Sequence, residues 1–306
     1  MGLGPNQSGF VYQRNPGVFK TKFRTNSRGM RDREYPSSKG SNLRILVLGD
    51  SFTEGWGVEE QQAYPKVLES RFLQGVEVWN LGVVGFSTDQ ELQLLTNAEE
   101  LRSQKMPEQR YISSTRHRAS NLLMQSAMIR LMRFAIAKVW YLMRMAGRAM
   151  DLQLMVWERN NTYRPVESPE MKEAWSITER VLYEINSLCR RNDAKFVLVY
   201  IPRAIKVVPG MLQLEQQKLG VSEPASIFDL SRGERRLAEI ARRNGIPFVG
   251  MGDAFRRNVP EQLYLTPILQ DGHLSALGQS VVAHTVAEYL YQQRLLPWNN
   301  FRTNSL

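Results

Sequence analysis

The feature that most constrains the fold is a short apolar strand that runs into a turn carrying a serine. Residues 45–48 form a continuous run of branched apolar side chains that is too short for a helix and typical of a strand buried on both faces of a parallel sheet. Gly49 permits a sharp turn. Asp50 and Ser51 then follow the carboxyl end of the strand, where open α/β sheets place their ligands. The stretch predicts an α/β fold with an exposed serine hydroxyl, and an ordinary strand-to-helix turn is the alternative.

A second stretch, near the C-terminus, offers a base for this serine. Asp271 stands two residues before His273, ahead of an amphipathic helix over residues 281–290. This spacing lets the carboxylate reach one ring nitrogen and fix the tautomer, so that the other nitrogen can take a proton from a serine. The chain has three histidines. His117 lies in a basic run and His284 inside the last predicted helix, so His273 is the one with an orienting carboxylate beside it in the sequence.

These segments resemble blocks of a known family. They are Gly49-Asp50-Ser51-Phe52, Asn80-Leu81-Gly82-Val83-Val84-Gly85 and Asp271-Gly272-His273-Leu274. Together they resemble the first, second and fifth blocks of the SGNH (GDSL-type) hydrolases. Residues 25–31 are also similar to a lead-in found before the serine block in a bacterial branch of that family. The resemblance covers most of residues 43–290 and implies a flavodoxin-like three-layer α/β/α fold.

Carried over by position, the resemblance implies ester hydrolysis through a Ser–His–Asp arrangement. Ser51 would be the nucleophile, His273 the general base and Asp271 the group that orients it. The N–H groups of Ser51 and Gly82 would donate to the oxyanion. The residues expected to bind substrate are Asp50, Phe52 and Gly85.

The chain departs from the family at its third block, a strand that ends in Gly-x-Asn-Asp and whose Asn is a further oxyanion donor. No such block lies between Gly82 and the next predicted strand, residues 196–201. In a 2-1-3-4-5 sheet the third strand lies between the first and the fourth. We therefore expect a parallel sheet that lacks one central strand. The first strand would either pair directly with residues 196–201 or recruit a substitute, for which residues 152–157 are the candidate.

Composition excludes several other classes. Apolar residues make up 42% of the 306 residues and charged residues 23%, which are values of a globular protein. A single cysteine forbids an internal disulfide. No group of His, Cys, Asp and Glu has metal-ligand spacing. No P-loop or dinucleotide fingerprint is present, so neither metal nor cofactor is expected.

The net charge of +10 is concentrated in one segment. Between residues 101 and 150 there are ten Lys and Arg residues and one acid, Glu108. The excess therefore indicates one basic segment and not a nucleic-acid-binding protein. Residues 121–156 are helical in character, with arginines interrupting the apolar residues. A helical insert packed on the core, with its basic face in water, is favoured over a cationic helix lying on a membrane surface.

The sequence predicts one main domain with extensions. Residues 1–42 are expected to form an extended lead across the domain surface, with a disordered basic tail as the alternative. Residues 43–295 would form the hydrolase-like domain, with the basic insert at about 100–165. Residues 296–306 would form a tail. No signal peptide is visible, which favours the cytoplasm, whereas many members of the resembled branch are exported or membrane-anchored.

Three functions stay open at this stage. The first is a serine esterase acting on a small-molecule, glycan or lipid ester, or an O-acyltransferase of the same fold. The second is a weakened or inactive relative that binds an acylated ligand or a partner, which the missing third block favours. The third makes the basic helix the functional part, as a membrane-surface anchor. The sequence does not name the acyl group, the alcohol or the oligomeric state.

Overall fold

The computed structural model describes residues 4–12, 19–36, 43–103, 163, 166–218, 227–266 and 271–302. The strands are β1 (Ser8–Tyr12), β2 (Lys20–Arg24), β3 (Leu43–Gly49), β4 (Val76–Gly82), β5 (Leu198–Tyr200), β6 (Phe248–Gly250), β7 (Tyr264–Thr266) and β8 (Asp271–Leu274). The helices are α1 (Ser51–Glu54), α2 (Tyr64–Val67, continued by a π-helical turn over Leu68–Phe72), α3 (Thr88–Ser103), α4 (Pro169–Arg191), α5 (Ala204–Val207), α6 (Met211–Lys218), α7 (Arg232–Arg243), α8 (Gly252–Arg256) and α9 (Ala276–Gln292).

Two pairs of parallel strands alternate with helices, which makes this an α/β protein as the sequence predicts. β3 pairs with β4 in parallel, from Leu43 opposite Val76 to Gly49 opposite Gly82. β5 pairs with β6 in parallel. Because β3 and β4 end at the same level, the turns that follow them emerge side by side at one edge. This register brings the serine turn next to the loop after β4.

The predicted burial and pairing of β3 are not found. Leu46 keeps 37% of its surface exposed, and the other residues of β3 are half-buried. Within the part of the chain that the structure describes, β3 pairs with β4 only and β5 with β6 only. Direct pairing of β3 with the segment at 196–201, one of the two expected alternatives, is therefore not found among the described residues.

The other candidate for pairing with the second edge of β3 lies in residues that the structure does not describe. Residues 152–157, the candidate substitute strand, and the basic segment at 121–156 lie outside the described residues. Among the helices that are described, none is both long enough and apolar enough to cross a membrane.

The main core lies between β4, α2 and α9. Val78 of β4, Leu68 after α2 and Val282 of α9 are at most 1% exposed and belong to one apolar cluster. Burying side chains of this size stabilises the fold by about 1.5–3 kcal/mol each. Helix α9 is thereby fixed against β4, which pairs with β3, the strand that precedes the serine turn.

The N-terminal lead is more than an extended surface segment. β1 and β2 pair in antiparallel fashion, and the residues after β2 are deeply buried. The buried side chains of this segment are Thr25, Asn26, Met30, Arg31, Asp32 and Tyr35. Within it, Asn26 Oδ1 accepts hydrogen bonds from the backbone N–H groups of Arg28 and Met30. The lead is thus folded locally and packed into the body of the protein.

A buried ionic cluster joins the lead to β4. Lys66 Nζ lies 2.8 Å from Asp32 Oδ1 and 2.6 Å from Glu69 Oε2, and it also donates to Val78 O at 2.8 Å. Asp32 Oδ2 accepts the backbone N–H of Asn80 at 2.8 Å. Burial raises the pKa of Asp32, and Lys66 opposes that rise. The cluster leaves few buried polar atoms unpaired, as a stable buried ion pair requires.

The C-terminal residues also pack on the body. Phe301 is 6% exposed, forms a β-bridge with Leu73 and belongs to the main apolar cluster. The segment predicted as a tail therefore contributes to the core at this residue.

Candidate active site

Ser51 is the first residue of a short helix at the carboxyl end of β3. Asp50 Oδ1 accepts the backbone N–H of Phe52 at 2.9 Å and so caps helix α1, as aspartate commonly does at this position. Gly49 is required because an added Cβ would lie 2.1 Å from Thr53 Oγ1. The helix ends at Gly55, whose φ of 84° is left-handed. The turn therefore holds Ser51 at the edge where the carboxyl ends of β3 and β4 meet.

His273 meets Ser51 from the opposite end of the chain. Its Nε2 lies 2.8 Å from Ser51 Oγ, although the two residues are 222 positions apart. This is the distance over which a hydroxyl donates to a neutral imidazole nitrogen. The structure thus brings together two of the residues that the sequence singled out.

The residues after His273 fix its position. Leu274 is fully buried. Ser275 donates its N–H to Leu263 O at 2.9 Å, and its hydroxyl accepts the N–H of Gly278 to cap α9. Gly278 packs so closely that an added Cβ would lie 2.1 Å from Leu263 O. The imidazole is therefore carried by a rigid strand-to-helix turn.

A buried glutamine ties the two halves of the site to each other. Gln279 of α9 is fully buried. Its Nε2 donates to Phe52 O at 3.0 Å, and its Oε1 accepts the N–H of Tyr64 at 2.8 Å. One side chain thus links the helix after His273 to the helix that begins with Ser51. Its position in the sequence, six residues after His273, gave no signal for this role.

The role assigned to Asp271 stays a prediction. Its backbone lies in β8, opposite Thr266, two residues before His273. Its side chain lies outside the described part of the structure.

The expectation for Gly82 as an oxyanion donor is not supported. Its N–H donates to Asn80 Oδ1 at 3.0 Å and is therefore already engaged. Gly82 is a glycine for another reason, because an added Cβ would lie 2.2 Å from the backbone nitrogen of Glu54. Helix α1 therefore packs directly against this position. The N–H of Ser51, by contrast, has no acceptor among the described residues.

The three residues expected to bind substrate have different surroundings. Asp50 is committed to capping α1. The ring of Phe52 lies 5.6 Å from that of His273, centroid to centroid, and so flanks the base. Gly85 is exposed, with a φ of 78°, and its N–H has no acceptor among the described residues.

A second aromatic side chain, Trp56, lies beside His273, and the sequence analysis did not predict it. The ring of Trp56 lies 6.0 Å from that of His273, centroid to centroid. Phe19 of the lead packs edge-on against Trp56 at 5.8 Å. Trp56 stands in the same stretch as Ser51, so its place in the sequence was the available signal. Phe19 carried none, because only tertiary packing brings the lead to this edge.

Two carboxyls near the site have strongly raised pKa values. Burial raises the pKa of Glu54 to about 7, against the lowering influence of Arg31, the Val84 N–H and His273. Burial also raises the pKa of Glu91 to about 7, reinforced by repulsion from Asp50 and Asp89. Perturbed carboxyls of this kind are typical of functional sites.

The residues that are described contain no group of three or more His, Cys, Asp and Glu side chains placed to hold a metal ion. The geometry as it stands offers a hydroxyl in contact with an imidazole, beside an unengaged backbone N–H. This arrangement suits nucleophilic attack on a carbonyl.

Comparison with known proteins gives a distant likeness. No protein-family model matches the chain, and no curated protein matches it. A solved structure that is similar is described as the crystal structure of a member of the lipolytic protein G-D-S-L family from Veillonella parvula DSM 2008. The TM-score is 0.42 at 10% identity, covering 80% of this chain and 97% of that chain. A likeness at this level carries no argument about this chain, so the proposals below depend on its own residues.

Proposed function

We propose that the protein is a serine hydrolase of the SGNH type that cleaves a carboxylic ester. The observation that carries the proposal is the 2.8 Å contact between Ser51 Oγ and His273 Nε2. Ser51 attacks the acyl carbon while His273 takes its proton, and Asp271 orients the imidazole. An acyl-enzyme and an alcohol result, and water or a second hydroxyl then accepts the acyl group. Hydrolysis and O-acyl transfer share these first steps.

The oxyanion would be held by backbone N–H groups at the edge of β3 and β4. The Ser51 N–H is one donor. Because the Gly82 N–H is engaged by Asn80, we propose the Gly85 N–H, on the same loop, as the second. Each such donor contributes about 10²–10³ in kcat.

A second candidate is a relative that binds an acylated ligand and turns over slowly. The engaged Gly82 N–H favours it, together with the lack of a Gly-x-Asn-Asp block in the sequence. Such a protein would retain the Ser51–His273 pair and react with acylating probes, but release the acyl group slowly.

The experiment is labelling with a fluorophosphonate, which phosphonylates activated serines. We expect the wild-type protein to be labelled at Ser51, and both Ser51→Ala and His273→Asn to lose the label. Hydrolysis of a nitrophenyl ester at a rate far below that of labelling would favour the binding relative. Absence of label from the folded wild-type protein would refute the hydrolase.

A further inference from the structure

Arg31, in the lead, clamps the segment that follows the serine helix. It is 2% exposed. Its Nη1 donates to Gly55 O at 2.6 Å and to Glu54 O at 3.1 Å, and its Nη2 donates to Val58 O at 2.7 Å. A planar guanidinium can reach several carbonyls at once, whereas an ammonium cannot match this geometry. Trp56, which flanks His273, lies within the clamped segment.

Glu54 faces the other side of the site. It is the last residue of α1 and is 2% exposed. Burial raises the pKa of its carboxyl group, whereas the charges of Arg31 and His273 and the N–H of Val84, in the loop after β4, lower it. The backbone nitrogen of Glu54 packs against Gly82, at the end of β4, where an added Cβ would lie 2.2 Å from it.

This buried pair is poorly suited to a purely structural role. Arg31 Nε and Glu54 Oε2 are both buried and have no hydrogen-bond partner among the described residues. Unsatisfied buried polar atoms cost stability, a cost that apolar side chains of similar size would not carry. The Lys66 cluster in the same protein, by contrast, is well satisfied.

We propose that Arg31 and Glu54 are positioning residues for the chemistry at Ser51. Arg31 holds the Glu54–Val58 segment, and with it Trp56, against the imidazole. Glu54 holds the loop that carries the Gly85 N–H and places a second negative charge near His273. The N-terminal lead is on this view a working part of the active site. The inference rests on the proposed hydrolase function.

The ionisation of Glu54 predicts a specific pH dependence for the rate at which Ser51 reacts. The groups that face Glu54 are Arg31 and His273, and Arg31 in turn faces Glu59 and Glu60. With a pKa of about 7, Glu54 gains its charge as the pH rises through neutrality. That charge favours the imidazolium formed when His273 takes the serine proton. Both Glu54 ionisation and a neutral His273 are then needed, which steepens the acid limb of the rate profile.

The test compares variants by their second-order rate of labelling by the fluorophosphonate. We expect Glu54→Gln to label roughly threefold to tenfold more slowly at pH 8 and at the wild-type rate at pH 5.5, with a shallower acid limb. Arg31→Met should slow labelling by about 10- to 100-fold at both pH values, and Arg31→Lys should not rescue it. The control is Arg33→Met, since Arg33 lies in the same segment but is half exposed and contacts Glu69.

A second readout does not depend on labelling. In the wild type the Glu54 carboxyl group, followed by NMR and assigned with Glu54→Gln, should titrate near pH 7. If Arg31→Met does not fold, Glu54→Gln and Arg31→Lys decide. Wild-type labelling rates at both pH values in a folded Glu54→Gln would overturn the role of Glu54, and wild-type labelling in a folded Arg31→Lys would overturn that of Arg31. Loss of label from the wild type would instead refute the hydrolase, and the titration of Glu54 would still test whether it ionises near neutral pH.

Discussion

At the scale of single residues, Glu54 shows how a site can cost stability. In the unfolded chain a glutamate titrates near 4.5, whereas in the folded protein burial raises the pKa of Glu54 to about 7. Between these values the folded state holds a proton that the unfolded state has lost. The contribution of Glu54 to the free energy of unfolding is therefore fully present below pH 4.5 and is lost as the pH rises through about 7.

Glu54→Gln should remove this decline. A shift of this size corresponds to about 3 kcal/mol, so the variant should be more stable than the wild type by up to about that amount at pH 8 and equal to it near pH 4. Urea unfolding at both pH values measures the difference. A variant that gains stability at pH 8 while losing labelling rate would show the trade-off expected of a functional residue. A pH-independent difference would mean that Glu54 does not titrate as described.

At the scale of elements, the turn between β8 and α9 determines where His273 lies. Gly278→Ala would place a Cβ 2.1 Å from Leu263 O, which is backbone and cannot move aside. We expect a loss of about 1–3 kcal/mol in unfolding free energy and slower labelling of Ser51. Gly272→Ala is the matched control, because a Cβ there would meet nothing within 4 Å. Equal thermal stability of the two variants would contradict this account of the turn.

The Lys66 cluster anchors the N-terminal lead to β4. Lys66→Met would leave the carboxylates of Asp32 and Glu69 buried without their cation. We expect a loss of about 3–5 kcal/mol, as is typical when one partner of a buried ion pair is removed. Lys172→Met, on the exposed face of α4, should change the unfolding free energy by less than about 0.5 kcal/mol. A small effect at Lys66 would show that the lead is not anchored by this cluster.

At the scale of the whole molecule, the uneven charge makes a testable prediction about membranes. Nearly all of the net charge of +10 comes from residues 101–150. Equal sedimentation with anionic and neutral vesicles would favour the segment packed on the core, as the sequence predicts. Binding to anionic vesicles alone, reversed by high salt because surface attraction is screened, would instead support the membrane-surface helix.

Particular residues show what could be read from the sequence. The Asp50–Ser51 turn after a strand and the Asp-x-His pair were visible because each depends on local spacing. Gly82 was assigned to the oxyanion by resemblance, and only the structure shows that helix α1 packs closely against it. The lead was underestimated because its burial depends on partners far away in the chain, such as Lys66 and Val78.

The sequence by itself determined the alternation of strands and helices, the serine turn and the histidine turn, since these follow from local backbone preferences and apolar periodicity. Only the tertiary structure decided that Ser51 meets His273, that Gln279 joins their helices and that Arg31 clamps the serine segment. Those contacts join residues between 23 and 227 positions apart. The physical reason is that a hydrogen bond between distant residues leaves no periodic trace in the sequence, because it depends on how the core packs and not on the neighbours along the chain.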